Sequence, residues 1–120
     1  MNVLITGADG YIGWPLTISL AKNRKNIRLI CVDNLSRRDW LKEVSAKSAI
    51  PISSFNDKKK FLKSFNTKNE FFNFDLNNFN KLDKLVKKYK FDFIINLAAQ
   101  PSAPYSFINI EKCNFTQNNN

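Results

Sequence analysis

The sequence predicts an α/β fold in which helices wind both faces of a parallel sheet. Three observations carry this. Short apolar, β-branched runs alternate with helically patterned segments. The first run ends at a glycine loop that opens a helix. The second run ends in an acid, Asp33, twenty residues after the last glycine of that loop. The chain has 120 residues, 43% of them hydrophobic and eleven of them phenylalanine, which suits one domain with a substantial core.

In order along the chain, residues 2–6 (NVLIT) read as a buried parallel strand. Residues 11–24 are helical, with Ile12, Leu16, Leu20 and Ala21 on one side and Pro15 in the tolerant first turn. Residues 27–33 (IRLICVD) are a second strand. Residues 36–44 predict a short helix capped by Ser36. Residues 45–55 read as irregular, and DKKKFLKSF after them as helix. A third strand is expected over 69–75, ending in Asp75. Residues 78–90 form an amphipathic helix, with Phe79, Leu82, Leu85, Val86 and Tyr89 inward and lysines 81, 84, 87, 88 and 90 mostly outward. Residues 91–99 (FDFIINLAA) are apolar enough for a strand buried on both faces. A proline-bearing loop follows, and the tail begins a helix that runs out in TQNNN.

Composition excludes several functions. There is no histidine, hence no Ser-His-Asp triad and no His-ligated metal site. Cys31 and Cys113 have no metal or redox spacing and read as reduced thiols of a cytoplasmic protein. No apolar run approaches the roughly 20 residues that span a bilayer, so no membrane partner is expected. The net charge is +9, with fifteen lysines against four arginines and at least as many asparagines. That balance looks like compositional drift. It lacks the basic stripe interleaved with aromatics that would mark a nucleic-acid partner.

All three glycines lie in LITGADGYIGWP, where about 7% of a whole chain would be ordinary. Gly7 permits a sharp turn after the strand, Gly10 a close approach of backbone to a pyrophosphate, and Gly13 tight packing of the helix. N–H groups near Tyr11 and Ile12 then point at phosphates, aided by the positive helix end. Asp33 can accept hydrogen bonds from adenosine ribose hydroxyls and repels a 2′-phosphate, which favours NAD over NADP. Arg37 and Arg38 argue the other way, because arginine nearby can bind that phosphate. Asp75 and Leu76 suit an adenine rim.

TGADGYIG, Asp33, Asp75–Leu76 and NLAAQ at residues 96–100 together resemble the extended short-chain dehydrogenase/reductase family of nucleotide-sugar epimerases and dehydratases. VDNLSRR, PISSFND, QPSAPYS and TQNNN are similar, in order and spacing, to its UDP-sulfoquinovose synthase branch. The resemblance implies a Rossmann-type sheet, of which residues 1–120 supply the first four strands in the order 3-2-1-4. It implies NAD as cofactor, with Tyr11 and Ile12 against the pyrophosphate and Asp33, Asn34, Leu35, Ser36 and Arg37 around the adenosine ribose. Asp75 and Leu76 would border adenine. Leu97, Ala98 and Ala99 would line the nicotinamide ribose, with Asn119 near the cofactor. Gln100, Ser102 and Tyr105 would face a UDP-sugar, and the full-length protein would be a homodimer.

That branch oxidises UDP-glucose transiently at C4, eliminates water and adds sulfite at C6. Pro101 stands where it usually has arginine, and Ala99 where it often has glutamate. The family's proton transfer uses a Tyr-x-x-x-Lys pair. Here Tyr11, Tyr89 and Tyr105 are followed four residues on by Pro15, Phe93 and Asn109. The expectation is therefore the amino-terminal part of an NAD-binding domain, without its catalytic and sugar-binding remainder. Alone it should be inactive, with its fourth strand left as an apolar edge.

Overall fold

A computed structural model describes residues 1–99 and 107–119. Among the described residues, four strands and five helices follow in the order β1 (Asn2–Thr6), α1 (Gly13–Asn23), β2 (Arg28–Asp33), α2 (Ser36–Glu43), α3 (Phe55–Phe65), β3 (Glu70–Asn73), α4 (Phe79–Tyr89), β4 (Phe93–Asn96) and α5 (Ile110–Asn119). The sheet order is β3-β2-β1-β4, all parallel, as expected. Strand order therefore reverses at β1, whose neighbours are β2 (Val3 opposite Leu29) and β4 (Val3 opposite Phe93).

The period of two along each strand divides the core into two faces. Val3, Ile5, Leu29, Cys31 and Phe71 meet Leu62 of α3 on one side, with Trp14 and Leu20 of α1 against them. Leu4, Ile30 and Val32 meet Leu85 and Tyr89 of α4 on the other. Burial pushes the Cys31 thiol up to about 12, so it packs as a small apolar group. Ahead of β3, the buried Asn69 extends the ladder with its side chain. Leu29 N–H donates to Asn69 Oδ1 at 2.9 Å, and Asn69 Nδ2 donates to the Leu62 carbonyl at 3.2 Å.

Several expectations need correction. Ile12 is exposed, because it precedes α1 in the loop; α1 buries Gly13 and Thr17, with Leu20 and Ala21 partly buried against the core as expected. Ser36 does not cap α2; Leu35 does, in left-handed conformation (φ 61°), and Asn34 Oδ1 accepts the Ser36 N–H. β3 stops at Asn73, leaving Asp75 in the turn that follows. β4 is shorter than expected and is not buried on both faces: Phe93 is 59% and Ile94 62% exposed. No helix among those described covers that edge. In α4, Phe79 and Val86 face solvent, while the five lysines lie outward as the pattern implied. The tail does not run out at TQNNN, since α5 continues to Asn119.

Candidate functional site

The loop after β1 turns at Gly7, whose φ of 68° is in the region glycine favours. A Cβ there would collide with the Leu97 carbonyl at the end of β4. A Cβ on Gly13 would collide with the Gly7 carbonyl, so the first and last glycines hold the loop against itself and against β4. Gly10 differs. A Cβ there meets only the Gly7 carbonyl, at 3.1 Å, and otherwise projects into open space. Helix α1 begins immediately after, with no side-chain cap and no acid in its first turn. Its amino end suits an anion.

These elements border a cleft of about 530 Å³ at the carboxyl ends of β1, β2 and β4. A crevice at the point where strand order reverses is the general ligand position in open α/β sheets. All three glycines line it with Tyr11 and Ile12. Asp33, Asn34, Ser36 and Arg37 line it from β2 and α2. Leu76 also lines it, with Leu97, Ala98 and Ala99 on the β4 side.

Asp33 is held by backbone. Asp9 N–H donates to its Oδ2 at 2.9 Å and Leu35 N–H to its Oδ1 at 2.6 Å. Burial raises the Asp33 carboxyl above its usual range; the two N–H donors work against that, and the charge on Asp9 adds to it. Each oxygen retains acceptor capacity beyond its single N–H bond. Asp75 accepts from Asn34 Nδ2 at 2.8 Å and from Asn77 N–H at 2.9 Å. Burial pushes the Asp75 carboxyl up, but these donors prevail and hold it below the ordinary value.

The remaining predicted residues fall differently. Leu35 does not line the cleft; its backbone sets the start of α2 and bonds Asp33. Asp75 borders an adjoining hollow shared with Asn34 and Trp40. Gln100, Ser102 and Tyr105 lie outside the described residues, and Asn119 belongs to the last turn of α5. Sequence reasoning missed Val32, Trp40, Phe74, Asn96 and Thr116, which also line the cleft. Val32 and Phe74 adjoin predicted residues and were findable by proximity; Thr116 arrives from a helix far along the chain.

It also missed Asp9, the loop's own acid. Arg38 grips it with two bonds, Nε to Oδ2 at 2.8 Å and Nη2 to Oδ1 at 2.7 Å, and Lys58 Nζ reaches Oδ1 at 2.7 Å. Burial pushes the Asp9 carboxyl up, but the bonds from Arg38 and Lys58 outweigh it and hold the group below its ordinary value. Lys58 is itself buried, against the Trp14 ring. Arg38 thus faces Asp9 and is absent from the cleft lining, whereas Arg37 is part of it.

The sequence pattern of the NAD dependent epimerase/dehydratase family matches residues 3–118. The chain is 36% identical to UDP-sulfoquinovose synthase of Sulfolobus acidocaldarius, over all of this chain and 30% of that one. It is 32% identical to the chloroplastic UDP-sulfoquinovose synthase of Spinacia oleracea, over 99% of this chain and 24% of that one. Among solved structures it superposes on UDP-glucose-4-epimerase from Stenotrophomonas maltophila, crystallised with bound NAD and formylated UDP-arabinopyranose. There the TM-score is 0.70 at 20% identity, covering 97% of this chain and 30% of that one. The chain thus spans 24–30% of the length of these proteins. It belongs to the NAD dependent epimerase/dehydratase family, and no helix among the described residues is long and apolar enough to cross a membrane.

Proposed function

We propose that these residues are the NAD-binding portion of a nucleotide-sugar enzyme of the UDP-sulfoquinovose synthase type. The observation that carries the reading is the convergence of the glycine loop, Asp33 and the 97–99 segment on one cleft at the strand-order reversal. The residues fit the cofactor. The open side of Gly10 leaves room for a pyrophosphate beside the amino end of α1. Asp33 accepts the adenosine ribose hydroxyls, and Leu76 packs against the adenine. Leu97, Ala98 and Ala99 provide a small, apolar wall for the nicotinamide ribose. Bound NAD supplies reversible hydride acceptance from the sugar. This chain's own task is to hold and orient it, with Gln100, Ser102 and Tyr105 facing a UDP-sugar.

Residues 1–120 contain no Tyr-x-x-x-Lys pair, so on this reading they bind cofactor without turnover. Titration with NAD tests the reading. Gly10→Val should abolish binding while the fold persists, because its side chain occupies the pyrophosphate position. Unchanged affinity in that variant overturns the loop assignment.

The reaction is tested in the full-length protein with UDP-glucose, with and without sulfite. A sulfonated product supports the synthase reading. Pro101 and Ala99 favour a second one, a UDP-sugar 4-epimerase or dehydratase, for which sulfite would make no difference.

A further inference from the structure

Four charged side chains meet beneath the glycine loop: the carboxylates of Asp9 and Asp33 and the cations of Arg38 and Lys58. Asp9 takes both cations, in ion pairs of 2.7 Å each. Asp33 takes neither; its carboxylate accepts from the N–H groups of Asp9 and Leu35. Yet the cations are near Asp33 as well, because the residue that holds them at 2.7 Å through its carboxylate, Asp9, also donates its N–H to Asp33 Oδ2 at 2.9 Å. Arg38 also reaches the Ser53 carbonyl at 3.0 Å, away from the cleft. Lys58 is buried, and an ammonium so placed requires a counter-charge.

We propose that Asp9 is a specificity-determining residue. By binding Arg38 and Lys58 it keeps both cations off Asp33 and out of the ribose end of the cleft. The site then selects an adenosine with a free 2′-hydroxyl over one that carries a 2′-phosphate. The inference rests on reading the cleft as a dinucleotide site. Without the Asp9 charge, the remaining carboxylate for two confined cations is Asp33. A cation on Asp33 occupies the acceptor a ribose hydroxyl needs and cancels the field that repels phosphate. Arg38 also becomes available as a bidentate phosphate ligand beside Arg37.

The test is calorimetric titration of the full-length protein, stripped of dinucleotide, with NAD and NADP. The wild type should prefer NAD. Asp9→Asn should weaken NAD and narrow the preference by about tenfold. Adding Arg38→Met and Lys58→Met to that variant should restore the preference, because no cation is left to migrate. Parallel loss of both affinities in Asp9→Asn, with their ratio unchanged, overturns the inference and leaves Asp9 a support for the loop alone.

Arg38→Met in an otherwise wild-type protein gives an independent reading should Asp9→Asn not fold. The preference should stay within about twofold of the wild type. A wider preference for NAD would mean that Arg38 already reads the 2′ position, and overturns the inference. A wild type that binds neither dinucleotide overturns the cofactor assignment itself, which separates the two failures.

Discussion

β1 has two flanks of similar composition and opposite fate. On one side β2 (RLICVD) is buried from Leu29 to Val32, with α1 and α3 over one face and α4 over the other. On the other side β4 (FIIN) is just as apolar and parallel, yet Phe93 and Ile94 stand in solvent. The difference lies in the helices. α4 leads into β4 but spends Leu85 and Tyr89 on Leu4, Ile30 and Val32. A strand's apolarity says that it can be buried; the crossover helices decide whether it is.

The same asymmetry runs through the cleft. Its β2 side is tied by Asp9, Arg38, Lys58 and the N–H bonds to Asp33. Its β4 side is joined to β1 by Leu97 N–H on the Thr6 carbonyl at 3.0 Å and by Thr6 Oγ1 donating to Asn96.

The sharpest way to break the tied side is to remove one member of its buried charge cluster. Asp9→Asn leaves Lys58 and Arg38 without their carboxylate and should cost about 3–5 kcal/mol of stability, read from the urea midpoint. A cost below about 1 kcal/mol would show that water reaches the cluster.

The two strands can then be set against each other. Ile30→Ala should lose about 2–5 kcal/mol, whereas Ile94→Ala should lose less than about 1 kcal/mol, because a side chain already in water leaves no cavity. Equal losses in denaturant titrations of the 120-residue chain would mean that the β4 edge is covered in solution.

Acid should act mainly on the tied flank. The Asp9 value in the fold lies below that in the unfolded chain, so its contribution is present above about pH 4 and is lost as pH falls through the folded value. Asp33 has the opposite sign. Its folded value is raised, so its ionisation costs stability as pH climbs from about 4 through that value. The stability advantage of the wild type over Asp9→Asn should therefore shrink below about pH 4, measured as the difference in urea midpoints. The smallest effect belongs to the exposed Lys87–Asp83 pair on α4, where Asp83→Asn should change stability by no more than about 0.5 kcal/mol.

Much of the site was legible because backbone chemistry demanded it. Gly7 must turn with positive φ, Gly13 must approach a carbonyl, and an acid must end β2; each requirement leaves a residue type at a spacing. Asp9 was illegible for the converse reason. Within the glycine motif its position is unconstrained, and its partners come from α2 and α3, 29 and 49 residues away. Lys58 likewise sits in a run of three lysines with nothing local to mark it as buried, and only the docking of α3 against Trp14 buries it.

The sequence by itself determined the alternation of strands and helices, the parallel class and the glycine loop between the first strand and helix. These follow from local periodicity and from single-residue backbone freedom. The tertiary structure alone decided how much of the expected β4 edge the helices leave bare, and which arginine faces the cleft. It also decided that the loop's acid, rather than Asp33, takes the two cations. Those outcomes depend on which helix crosses which face, and on charges brought together from segments that no local pattern connects.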